Sequence, residues 1–226
     1  MLLPGIGSSR IPMRFRALFA VAISLILLSV IYDVGVVAVR SAGEAGKPLL
    51  LASEIVNGLV IGLLARLVMV GLQFAATILT NVIGLAPTPG APIDDTEPLP
   101  PLVSFISLSA TMLIFVTNLH HQFIRALIDS YSALKIGAAF DAGWYLDQLL
   151  LRLDQTSALA LRLSGPFIVY SVVVNLAIGF ANKFTPQISV YFITTGMVAA
   201  GGLFLVYFTI DDWLGLFLQD FSSWLG

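Results

Sequence analysis

The sequence predicts an all-α, polytopic membrane protein of about five or six apolar helices plus one amphipathic helix, and three observations carry that prediction. Hydrophobic residues make up 58% of the 226-residue chain and mean hydropathy is +0.96. Charged residues supply only 11%, against the roughly 25% of an ordinary soluble domain. Several apolar stretches reach or approach the roughly 20 residues that a helix needs to cross a bilayer.

The first stretch, residues 17–39, is interrupted only by Asp33 and follows Arg14 and Arg16. It runs longer than a signal-peptide core, has no convincing small-residue cleavage site and is followed by further apolar segments, so it reads as a retained membrane helix. The second, 55–86, is long enough for a tilted or broken helix pair and contains Arg66. The third, 99–119, carries no Asp, Glu, Lys or Arg. The fourth and fifth, 163–182 and 184–210, are separated by Lys183, with Pro186 just beyond. A proline there breaks or kinks a helix, which predicts a tight helical hairpin.

Between the third and fourth stretches, 141–162 sets Leu146, Leu149, Leu150 and Leu153 at helical spacing against Asp147, Arg152 and Asp154. That pattern predicts an amphipathic helix at an interface. Residues 87–101 hold six prolines with Asp94, Asp95 and Glu97, and form a Pro-rich acidic loop. The short-loop cations, Arg10, Arg14 and Arg16, then Arg40 and Lys47, then Arg125 and Lys135, fall on no single side under simple alternation. The positive-inside signal is therefore ambiguous. Two explanations stand: a helix not recognised in the pattern, or apolar helices that bury against protein rather than lipid.

Composition also excludes chemistry. Eleven Lys and Arg against thirteen Asp and Glu give no basic field for nucleic acid. Zero cysteines exclude disulfides, thiolate nucleophiles and Cys-based metal sites. No nucleophile elbow, phosphate loop or dinucleotide glycine pattern occurs. His120 and His121 point about 100° apart on a helix and lack a well-spaced third ligand, so they read as a boundary turn with Arg125 one turn on. A membrane-embedded enzyme built on that pair is the weakest of the readings.

Small and polar residues mark packing faces. Ser164, Ser171, Asn175, Gly179 and Asn182 step by seven, four, four and three along one helical stripe, as close helix contacts in membranes require. A substrate-lining stripe has the same signature. Gly58 and Gly62 give a small-xxx-small spacing, and Gly196, Ala200 and Gly201 lie near one another on the last long helix. Arg66 at depth faces either a partner or a cavity, or snorkels to a boundary. No internal repeat is evident, which disfavours transporters built from inverted repeats.

The block from Leu163-Ser164-Gly165-Pro166-Phe167 through Asn175 to Gly179-Phe180-Ala181-Asn182-Lys183-Phe184-Thr185-Pro186-Gln187 resembles the FliR family, in which an apolar helix opens at a Pro, closes before Pro-Gln and continues into a last apolar helix. His120-His121-Gln122-Phe123 to Ser130-Tyr131, the N-terminal Leu3-Pro4-Gly5 with Ile11-Pro12, and Gly58 to Gly62 are similar to further family segments. The resemblance spans nearly the whole chain, as one FliR-like membrane domain over 1–226. The family's first N-terminal helix has no counterpart before Leu3-Pro4-Gly5, so the sequence is expected to lack it.

The resemblance implies a non-enzymatic, cofactor-free subunit of the flagellar type III export gate. It would join FliP and FliQ in a helical assembly around a channel, beside FlhB and FlhA, in the inner membrane at the flagellar basal body. Unfolded flagellar proteins pass through that channel and lipid surrounds the assembly. It implies a pore loop drawing on Ile83, Leu85, Pro87, Pro89, Asp94 and Asp95, although the stretch 84–101 lacks the aromatic residues frequent there in the family. Gly58, Gly62, Arg66, Ser171, Asn175, Gly179, Asn182, Pro186 and Gln187 become subunit-packing positions. The homologous subunit of a virulence type III system is the nearest alternative. A small secondary transporter using Arg66 and the Asn-bearing stripe is a more distant one.

Overall fold

The computed structural model describes residues 12–85, 100–133, 136, 142–184 and 190–225. Among these residues the chain is helical, in the order α1 Met13–Val82, α2 Pro101–Val116, α3 Leu119–Ala133, α4 Ala142–Phe184 and α5 Val190–Leu225. Most of the loop 87–101, including Pro87, Pro89, Asp94 and Asp95, lies outside the described residues, as do Pro186 and Gln187.

Three helices are long and apolar enough to cross a membrane, and a fourth span results if α2 and α3 are taken together across a 73° bend. The bend falls at Thr117 and Asn118, where Asn118 takes a φ of 59°. Asparagine tolerates that left-handed conformation better than most residues. Thr117 still bonds back to Leu113, and the His121 amide bonds to the Asn118 carbonyl, so one helix ends as the next begins.

α1 unites the first two apolar stretches, but it is not one straight rod. Gly43 has φ 62° and ψ −179°, a backbone region open essentially to glycine alone. Nothing lies within 4 Å of where a Cβ would stand there, so the requirement is conformational rather than steric. Pro48, one turn on, removes the amide that would bond back to Glu44. The Glu44 side chain, separately, pairs with Lys47.

α4 likewise joins the amphipathic segment to the fourth apolar stretch without a break, passing through Pro166. A proline ring takes the hydrogen bond from the carbonyl four residues back. In the same turn, the Leu163 carbonyl accepts a 2.7 Å hydrogen bond from the Trp213 indole N–H of α5.

The chain divides into two compact units. The first draws on Met1–Met69, Thr111–Gln155 and Phe221–Gly226. Its buried side chains include Val60, Ala65, Val68, Ile114, Leu119, Phe123 and Tyr145. The Tyr145 hydroxyl donates to the Asn57 side-chain carbonyl. Arg152 is only 3% exposed; its guanidinium lies 5.4 Å from the centre of the Trp224 ring and donates to Gln155 at 3.0 Å. Phe123 and Phe221 flank the same indole, so the cation is held against aromatic faces rather than water.

The second unit comprises Val70–Ala110 and Thr156–Asp220. Leu72, Leu79, Ile83, Val103, Ile106, Leu163, Phe167 and Phe217 are fully or almost fully buried. Two glycines set close approaches. A Cβ on Gly71 would collide with the Thr156 methyl, and one on Gly202 would collide with Ile83. Phe167 meets the Trp213 ring edge to face at 5.7 Å.

From Met13 to Leu59 no residue is buried within this chain. Phe15, Leu18, Leu25, Val37, Leu51 and Ile55 are all more than half exposed. Apolar surface on that scale requires lipid or other protein chains to cover it.

Candidate functional site

The second unit contains an open polar cavity of about 180 Å³, lined by the end of α1, the middle of α4 and the start of α5. Its polar groups are Asn81, Ser171, Asn175, Thr194 and Thr195, and its apolar walls are Val82, Ile83, Val174, Ile178 and Val198.

Local structure explains how these residues come together. α1 ends in a Schellman motif: the Gly84 amide bonds to the Asn81 carbonyl at 3.2 Å and the Leu85 amide to the Thr80 carbonyl at 3.0 Å. Gly84 supplies the required left-handed residue with φ 74°. This turn buries Ile83 completely while leaving Asn81 exposed beside the cavity. Ile83 fits over Gly202 of α5, where any side chain would be excluded.

On α4, Ser171 and Asn175 are one turn apart. The Asn175 amide donates to the Ser171 carbonyl at 2.9 Å and to its hydroxyl at 3.1 Å. One turn is the separation at which helical side chains meet. α5 is pinned beside them by Tyr170, whose hydroxyl donates to the Val198 carbonyl at 2.8 Å and lies over Gly201. Thr194 and Thr195 thereby face Ser171 and Asn175 across the same cavity.

The sequence stripe is thus split. Ser164 is fully buried and back-bonded to Ala160, Ser171 and Asn175 line the cavity, and Gly179 and Asn182 are exposed farther along α4. Nothing lies within 4 Å of a Cβ built on Gly179 or on Gly58. Neither small residue serves a close approach between described parts of this chain. Gly62 is half-buried, Arg66 is exposed on α1, and Leu85 is 42% exposed.

His120 and His121 open α3 directly after the bend. Their rings lie 4.1 Å apart although the residues are adjacent, and Phe115 of α2 stacks on His120 at 5.1 Å. Adjacent helical positions point about 100° apart, yet here the two rings meet at an interplanar angle of 40°. Among the described residues no group of three or more His, Asp or Glu side chains is placed to hold a metal ion. Arg125 is exposed one turn along α3.

Asn81, Thr194, Thr195 and Tyr170 were not singled out from sequence. Asn81 carried a usable signal, three residues before a glycine at a helix end. Thr194-Thr195 is likewise a polar pair inside an apolar run.

Long apolar helices, large exposed apolar faces and a neutral polar cavity together define a polytopic α-helical membrane protein. Comparison with known proteins gives the family. The family model described as bacterial export proteins, family 1, matches residues 1–224. The flagellar biosynthetic protein FliR of Caulobacter vibrioides is 28% identical over 214 residues, covering 93% of this chain and 83% of that protein. The protein of the same name from Buchnera aphidicola subsp. Baizongia pistaciae is 24% identical over 212 residues, covering 92% and 79%. The chain belongs to the FliR family of bacterial export proteins.

Proposed function

We propose that the chain is a non-enzymatic subunit of the flagellar type III export gate, forming with FliP and FliQ the channel through which unfolded flagellar proteins cross the bacterial inner membrane. FlhB and FlhA are the further partners at the basal body, and lipid covers the outer surface. The observation that carries this reading is the family match along residues 1–224. Both relatives described above bear flagellar names, which favours the flagellar apparatus over a virulence secretion system.

The surface of the chain supports an assembled state. The helical length from Met13 to Leu59 has no buried residue. Gly58, Gly62, Gly179 and Asn182 are open or half-open small and polar positions on α1 and α4, of the kind that let membrane helices approach closely. Arg66, exposed on an apolar helix, takes a partner or a hydrated surface in that assembly. Pro186 and Gln187 are proposed to serve the turn between the last two helices. The pore-loop role falls on Leu85 and on Pro87, Pro89, Asp94 and Asp95 after it, since Ile83 is fully enclosed.

Deleting the gene and measuring hook and filament proteins in the culture medium tests the reading. Loss of secretion, restored by the gene in trans, is expected. Undiminished secretion in the deletion strain overturns it.

A further inference from the structure

We propose that the cavity of the second unit binds the backbone amide of an extended polypeptide, irrespective of that polypeptide's sequence; this rests on the export reading above. The geometry specifies the ligand chemistry. None of the described residues lining the cavity is charged, so phosphate groups, carboxylates and cations find no counter-charge there. The polar groups are amides and hydroxyls, and Val82, Ile83, Val174, Ile178 and Val198 supply the apolar part of the lining.

The hydrogen-bonding capacity left open is of both kinds. Asn175 uses its amide nitrogen on Ser171, and its side-chain carbonyl accepts no hydrogen bond from the described residues. The Ser171 hydroxyl accepts from Asn175 and keeps its own proton to donate. The Asn81 side-chain amide, donor and acceptor together, makes no hydrogen bond among the described residues; only the Asn81 backbone carbonyl is engaged, by the Gly84 amide. A peptide group, with one N–H and one C=O, satisfies such a set. A lipid ester offers acceptors only and leaves the Asn81 and Asn175 side-chain oxygens without a donor.

Size agrees. About 180 Å³ is the liquid volume of roughly six waters at ~30 Å³ each, room for a peptide group with a small side chain. The backbone of a helix has its amides already paired, so the occupant is extended chain. An unfolded export substrate presents such backbone along its whole length, and a neutral amide-lined site accepts it without selecting for sequence.

The test places a photo-crosslinking amino acid at Val174, with Met112 on α2 as the control position, in cells whose export is stalled by a substrate fused to a tightly folded domain. An adduct with the stalled polypeptide from position 174 and not from 112 is the expected result. In the same background, Asn81→Leu combined with Asn175→Leu should lower the adduct yield about fivefold or more, the factor for losing two hydrogen bonds of modest strength. Adducts from position 174 confined to lipid or to a neighbouring subunit, while export continues, overturn the cavity assignment and leave the export reading intact. An unchanged yield in the double variant does the same. If secretion does not require the chain at all, the export reading itself fails, independently of any adduct.

Discussion

Gly71 tests the packing of the second unit most sharply. A Cβ added there falls on the Thr156 methyl, but stands 3.3 Å from the Thr156 carbonyl oxygen and 3.7 Å from its Cβ. The obstacle is therefore one methyl group, and the backbone behind it is close to tolerable distance. Thr156 is only 6% exposed, so it has little space to withdraw into. Overpacking of this kind costs about 1–3 kcal/mol, or about 2–12 °C in the melting temperature of a chain this size. Thr156→Ser removes the offending methyl and by itself costs about 1 kcal/mol for the lost burial. The double variant Gly71→Ala with Thr156→Ser should melt near the single Thr156→Ser variant, giving a coupling of about 1–3 kcal/mol between the two sites, the full cost of the Gly71→Ala change. The assay is thermal unfolding in mild detergent, followed by intrinsic tryptophan fluorescence. Additive losses in the double variant, or a Gly71→Ala variant indistinguishable from the parent, would refute the close approach of α1 and α4 at this point.

Three further outcomes are expected. Trp213→Phe keeps the aromatic contact with Phe167 but removes the donor to Leu163, and should cost about 1 kcal/mol in the same assay. Gly84→Ala forces a Cβ into a left-handed turn at φ 74° and should cost about 1–2 kcal/mol; open space around that position means that a D-alanine there, introduced by semisynthesis, restores stability. Tyr145→Phe strands the Asn57 acceptor at a cost of about 1–3 kcal/mol, whereas Asn57→Leu together with Tyr145→Phe should be closer to the parent, since replacing both partners removes the unmet group.

Much of the fold is visible in the sequence because the membrane demands it. Residues 17–39, 55–86, 163–182 and 184–210 are apolar over helix-spanning lengths, and within their described parts all four lie in long helices apart from the turn at 83–85 that ends α1. Element boundaries are less legible. The amphipathic pattern of 141–162 gives way to an uncharged, mainly apolar one, which looks like a change of element, yet α4 continues through Pro166. Conversely, Arg66 looks like a splitting point for the second stretch, but α1 runs through it and breaks at Gly43, where backbone conformation rather than polarity decides.

The site is legible by halves. The four-residue step from Ser171 to Asn175 places them on one face of a helix, and that placement is correct. What they face is set by Asn81, about ninety residues earlier, and by Thr194 and Thr195 at the start of the next helix. No local spacing encodes such a meeting. Ile83 shows the reverse case: it adjoins the loop in sequence, but the Schellman turn directs it into the interior over Gly202.

The central claim, membership of an export-gate complex, is tested most directly by co-expressing a tagged copy of the chain with FliP and FliQ from the same genome and purifying it in mild detergent. Both should co-purify as one stable complex, with the apolar surface of α1 and the exposed end of the α4 stripe covered. A lone, monodisperse protein that retains neither partner would contradict it.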